Sequence, residues 1–160
     1  MALPGYFSLT GAKQGKIEGS CDIKGQEGKI LVQAHEHTVD IPVNLQTGLA
    51  SGKRVHHPLT IHKAIDKSSP KLFQALTTGE TITEALLEFN HIDKNGQDVV
   101  YYTKKIENAV IIKIETITDN ILDATTNKYP DWELVSFTYS KITTTWKDGG
   151  IEATDSWTGN

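Results

Sequence analysis

A chain of 160 residues is the length of a single domain, and 38% hydrophobic residues suffice for a core that needs no disulfide or metal staple. The lone cysteine, Cys21, excludes an intrachain disulfide. Sixteen basic against 20 acidic side chains give a formal charge of −4, and Arg54 is the only arginine, a balance that excludes the usual nucleic-acid binders.

Ile, Val and Thr make up 43 of the 160 residues, and these β-branched side chains suit a pleated, half-buried surface better than a helix. Met1-Ala2-Leu3-Pro4-Gly5-Tyr6 has neither the basic nor the apolar run of a secretory signal, so the expectation is a chain made and folded in a cytosol. No run reaches the roughly 18 apolar residues of a membrane helix, which argues against membrane insertion. In chain order, residues 5–10 alternate as a strand with Phe7 and Leu9 on one face. Residues 29–39 read as a second strand with Ile30, Val32 and Ala34 on one face. Residues 46–54 form the longest loop-like stretch, with Leu49 its only apolar side chain of size. The strand over 55–62 points Val55, His57, Leu59 and Ile61 one way.

A short helix follows, with Ser69 placed to cap its start, Pro70 in its first turn and Gly79 as its left-handed stop. Leu72, Phe73 and Leu76 form its apolar stripe. Residues 82–92 fit either a helix or a strand, and Asn95-Gly96 decides for a strand, because a hairpin needs strands on both sides. Residues 98–103 and 109–118 read as two further strands, 132–146 as the longest, and 151–157 as a last short one. The fold class expected is a mainly-β single domain over residues 1–160, with seven to nine strands and one helix.

Three constellations could carry chemistry. His35-Glu36-His37 places two imidazoles on one face of a strand, close to the His-x-His of a cupin metal site, but no glutamate follows at the required distance. His56 and His62 fall on the face opposite His57 and do not converge. Cys21 has no partner pattern, and the carboxylate of Asp22 beside it disfavours a thiolate nucleophile. Trp132, Trp146 and Trp157 could form a sugar-stacking platform, yet on a straight strand the first two stand too far apart for one site. A cupin-like metal-binding enzyme and a carbohydrate-binding β-sandwich are therefore the alternatives to a structural protein. No catalytic residue, cofactor site or metal site is assigned.

Read together, the motifs resemble the haemolysin co-regulated protein (Hcp) family of the type VI secretion system. The resemblance is carried by Ile17-Glu18-Gly19-Ser20, Glu36-His37, Ile41-Pro42, Thr47-Gly48, Arg54-Val55-His56-His57-Pro58, Asp66-Lys67-Ser68-Ser69-Pro70-Lys71-Leu72 and Thr77-Thr78-Gly79. It continues through Ile142-Thr143-Thr144-Thr145-Trp146-Lys147-Asp148-Gly149 and Asp155-Ser156-Trp157. It implies a β-barrel of two antiparallel sheets with one helix at the side, acting without catalysis or cofactor. It also implies self-assembly into homohexameric rings that stack into a hollow tube, expelled by contractile sheath proteins, tipped by a spike protein and carrying small effector proteins in its lumen. Residence in the bacterial cytoplasm until firing, then export without a signal peptide, belongs to the same implication. With the sequence ending shortly after the Asp-Ser-Trp segment, the expectation is a chain without the C-terminal toxin extension that some members carry. The loop over 46–54 resembles the family's extended loop, which places ring-stacking contacts at Leu49, Ser51, Lys53 and Arg54.

Overall fold

A computed structural model describes residues 2–157. The strands in chain order are β1 (Gly5–Gly11), β2 (Gly15–Ile17), β3 (Ile30–Val32), β4 (Ala34–Glu36), β5 (Val39–Asp40), β6 (Val55–His56) and β7 (Leu59–Ala64). The helix α1 (Ser69–Thr78) follows, then β8 (Thr81–Ile92), β9 (Asp98–Ile117), β10 (Trp132–Thr138), β11 (Lys141–Trp146) and β12 (Ile151–Ser156).

Pairing is antiparallel throughout, and the main sheet runs β2-β1-β8-β9-β10-β7-β4. One segment closes it into a barrel. β3 pairs with β1 (Phe7 opposite Ile30), and β4, one residue further on, pairs with β7 (Ala34 opposite His62). The chain thus crosses from one end of the sheet to the other within residues 30–36, with the Gln33 N–H donating to His62 O at 2.9 Å in the crossing. Closure removes the open edges a long sheet would otherwise expose. β5 and β6 form a separate two-stranded ribbon outside the barrel.

Alternation fills the interior. Phe7, Leu9, Ile61, Leu87, Val135 and Phe137 are among the side chains packed into one core, and the Phe7 and Phe137 rings meet at 5.3 Å. The mainly-β barrel with one helix is the architecture expected, but its strands are cut differently. Residues 98–117 form one strand of 20 residues instead of two shorter ones. Conversely, the expected strand over 132–146 breaks at Tyr139 and Ser140. The break lies opposite Asn108, whose φ of 50° kinks β9 between the stretches that pair with β10 and with β11. Glu107 O holds the corner by accepting both the N–H and the hydroxyl of Ser140, each at 3.2 Å.

The segment 29–39 is likewise broken, because it must change partners to close the barrel. Ile30 and Val32 are buried as expected, but Ala34 lies exposed. Pro58 separates β6 from β7, so Leu59 and Ile61 point into the core while His57 does not.

The helix starts one residue earlier than expected. Ser68 is its cap residue, Pro70 lies in the first turn, and Gly79 closes it with a φ of 66° that glycine adopts freely. Ser68 forms no side-chain cap bond. Its hydroxyl donates to Asp66, and Ser69 Oγ accepts the Asp66 N–H at 3.1 Å and donates to Glu133 Oε1 at 2.7 Å. At the centre lies Lys63, 0% exposed, with Nζ at 2.7 Å from Glu133 Oε1 and 3.0 Å from Asp66 Oδ1. The Asp-x-Ser-Ser-Pro motif is therefore the lid of a buried ion nest that pins α1 to the barrel wall. Burial by itself would raise the Asp66 carboxyl, but Ser68, Lys63 and Ser20 donate to it and hold it lowered. Of the expected apolar stripe, Leu72 is buried and Leu76 packs against the core, whereas Phe73 is 60% exposed and Ala75 takes the inward place.

Candidate functional site

Between β5 and β6 the chain leaves the barrel as an ordered arm. Val39, Ile41, Val43 and Leu45 alternate with Asp40, Pro42 and Asn44 along the outgoing limb, the pattern of a strand with one apolar face. The limbs are joined by the β5–β6 ribbon, a bridge between Val43 and Ala50, and a Ser51 N–H to Pro42 O bond of 2.7 Å. Asn44 builds the tip. Its Oδ1 accepts the N–H of Gln46 at 2.9 Å and of Thr47 at 3.2 Å, and its carbonyl accepts the Gly48 N–H at 2.8 Å.

This ribbon has no core to cover. Leu45 is 97% exposed and Leu49 68%, and Val39, Ile41 and Val43 are about half exposed. The arm is longer and more apolar than the loop over 46–54 expected from sequence, because the alternation before residue 46 belongs to it. Of the expected stacking residues, Leu49, Ser51 and Lys53 lie exposed on the returning limb, while Arg54 sits half-buried at its base. There the guanidinium forks onto Asp155 of β12, with Nη2 at 2.7 Å from Oδ1, and donates to Ser156 O at 3.1 Å.

The base of the arm gathers groups that alternation alone had separated. Tyr139 Oη lies 2.7 Å from His37 Nε2 and 2.7 Å from His56 Nδ1. His56 Nε2 is 2.7 Å from Asp155 Oδ2, and Lys104 Nζ is 3.1 Å from His37 Nδ1. The result is a continuous row, Lys104, His37, Tyr139, His56, Asp155, Arg54, joining β9, both limbs of the arm, the β10–β11 corner and β12. Burial, with Lys104 and neighbouring histidines adding to it, pulls His37 down to about 4. Burial and the Asp155 charge push Tyr139 up to about 12. Hydrogen bonds from Arg54 and His56 hold Asp155 at about 2.

The other candidates come apart. His35 turns away from His37 to pack edge-on against Phe89 at 4.8 Å, so the pair does not form a cupin-like grip. His57 pairs with Asp40 at 2.9 Å and His62 stacks on Trp132 at 5.6 Å, so neither joins His56. The tryptophans occupy three separate places, Trp132 against His62, Trp146 against Tyr101 and Trp157 against His56, and make no common platform. A second exposed excursion, over residues 118–131, carries Ile121 and Leu122 at its surface and had no signal beyond its polar composition. Among the described residues, no helix is long and apolar enough to cross a membrane.

Residues 6–146 match the family model described as the type VI secretion system effector Hcp. A protein of Pseudomonas aeruginosa named major exported protein is 37% identical over 98% of this chain and 96% of its own length. A two-site tryptophan variant of the Hcp1 protein from Escherichia coli EAEC 042 superimposes with a TM-score of 0.87 at 37% identity, covering 97% of this chain and 99% of that one. The secreted protein Hcp3 from Pseudomonas aeruginosa does so with a TM-score of 0.81 at 32% identity, over 99% of this chain and 100% of that one. An arm-bearing closed barrel, matched along almost its whole length by such relatives, belongs to the Hcp family of type VI secretion system proteins and is a structural, secreted component of that system and not an enzyme.

Proposed function

We propose that this chain is the tube subunit of a type VI secretion machine. Six copies close into a ring, and rings stack into a hollow tube that carries small effectors in its lumen. A contractile sheath expels the tube behind a spike protein. The chain waits in the bacterial cytoplasm until firing and then leaves by the type VI route.

The observation that carries this reading is the arm. An ordered ribbon with five exposed apolar side chains, from Val39 to Leu49, gains free energy when it is covered. In a stack of rings the cover is another copy of the chain, presented head to tail. Stacking contacts fall on Leu49, Ser51, Lys53 and Arg54. Leu49, one hydroxyl and two cations, of which Arg54 already forks onto Asp155, make this part of the contact wet and weak enough for rings to stay apart until assembly is nucleated.

Negative-stain microscopy of the purified protein tests the reading. The expected images are six-fold rings with an open centre and occasional short stacks. Particles of single-chain size, without rings at any concentration, would overturn it. Leu49→Asp is expected to leave the rings intact and remove the stacks; stacks as frequent as in the wild type would remove Leu49 from the interface.

A further inference from the structure

With both histidines neutral and its ends charged, the row of groups at the base of the arm has only one consistent arrangement of protons. An ammonium can only donate and a carboxylate can only accept, so Lys104 fixes one end and Asp155 the other. Lys104 Nζ donates to His37 Nδ1 at 3.1 Å, which leaves the His37 proton on Nε2, where it is donated to Tyr139 Oη at 2.7 Å. The Tyr139 hydroxyl then donates to His56 Nδ1 at 2.7 Å, and His56 Nε2–H to Asp155 Oδ2 at 2.7 Å. Both limbs of the arm enter this row, through His37 before β5 and His56 in β6. The β5–β6 ribbon itself has no backbone ladder to the barrel sheet.

We propose that this row is an acid-sensitive latch: with its protons in the one order it fixes the arm against the barrel, and a proton added to His37 releases the arm. The added proton sits on Nδ1, the atom that accepts from Lys104. It turns an acceptor into a donor and places two cations 3.1 Å apart in a half-buried site. No carboxylate hydrogen-bonds to His37 among the described residues; the neighbouring Glu36 is exposed and lies 3.9 Å from His62. The groups around it are Lys104 from β9, Tyr139 from the β10–β11 corner, His35 from β4, and His56 and His57 from the returning limb. Asp40 is taken up by His57, and Asp155 by Arg54 and His56.

The sign follows from linkage. His37 is lowered from an ordinary 6.5 to about 4 when the arm is docked, so the released arm binds the proton more tightly. Docking free energy is complete above about pH 6.5, falls as the pH drops towards 4, and is constant below that as far as this group is concerned. Asp155, lowered from 3.8 to about 2, contributes a second loss only below pH 3.8. The row lies within one chain, and since rings and stacks would also cover the arm, the sedimentation of each sample is followed at every pH beside its exchange.

Hydrogen exchange read by mass spectrometry, corrected for the intrinsic pH dependence of amide exchange, tests the latch on the full chain. From pH 7 to 4.5 the opening equilibrium of peptides spanning 38–57 is expected to rise by about tenfold or more, while peptides from β9 stay protected. His37→Gln keeps an acceptor and a donor in the side chain without a titration, and should abolish the rise. Tyr139→Phe cuts the row and should give fast arm exchange already at pH 7. Arm protection that is flat from pH 7 to 4.5 in the wild type, or an unchanged rise in His37→Gln, overturns the proposal. Should His37→Gln fail to fold, the ring titration of His37 in the wild type decides: arm opening must share its midpoint, and a different midpoint overturns the latch.

Discussion

Lys63 lies buried inside the barrel with four partners around Nζ: Glu133, Asp66, Ser69 Oγ and the Ala64 carbonyl. Lys63→Ala leaves Glu133 buried at 4% exposure beside a cavity, and a loss of about 3–5 kcal/mol is expected in a urea melt. The double variant Lys63→Met with Glu133→Leu should recover a large part of that loss, since it removes both charges at once. Gly19 is a second sensitive position. A Cβ there would sit 2.5 Å from Lys29 O and 2.8 Å from Ile30 Cα, in backbone that β3 holds rigid. Gly19→Ala should therefore destabilise by about 1–3 kcal/mol in the same melt. The Asp-Lys-Ser-Ser-Pro run was visible in the sequence as a helix start, and Gly19 as part of a motif. Their reasons were not, because Lys63, Glu133 and Ile30 reach them only through the closed barrel.

The arm shows what strand periodicity can and cannot convey. Its outgoing limb, Val39, Ile41, Val43 and Leu45, has the alternation of a core strand, and nothing local reveals that the apolar face stays outside. That depends on Pro42 and Pro58, the turn at Asn44, and a barrel already filled by β3 and β7. Asn44→Ala removes two of the hydrogen bonds that shape the tip. It should raise the opening equilibrium of residues 43–51 about fivefold in hydrogen exchange, in keeping with about 1 kcal/mol, and leave the melting of the barrel unchanged. The same limit explains the broken strand at Tyr139. Residues 132–146 contain no Gly, Pro, Asn or Asp to mark a turn, and the partner strand, kinked at Asn108, imposes the corner. That corner puts Tyr139 between His37 and His56, a convergence that no spacing within the chain could disclose.

At the scale of the whole molecule, composition spoke clearly. The β-branched composition pointed to a mainly-β domain, and the resemblance carried by the motifs implied the barrel and the family to which it belongs. Oligomeric contacts are the least legible part, since a proposed interface residue such as Leu49 differs from a core residue only in what lies opposite. In the proposed tube, one barrel is an incomplete unit whose arm is covered by other copies. Sedimentation velocity of the purified full chain at neutral pH is the most direct test of that. The prediction is one dominant boundary at the mass of a hexamer, with faster material growing in as concentration rises. A single boundary at the mass of one chain, unchanged up to the highest concentration reached, would contradict it.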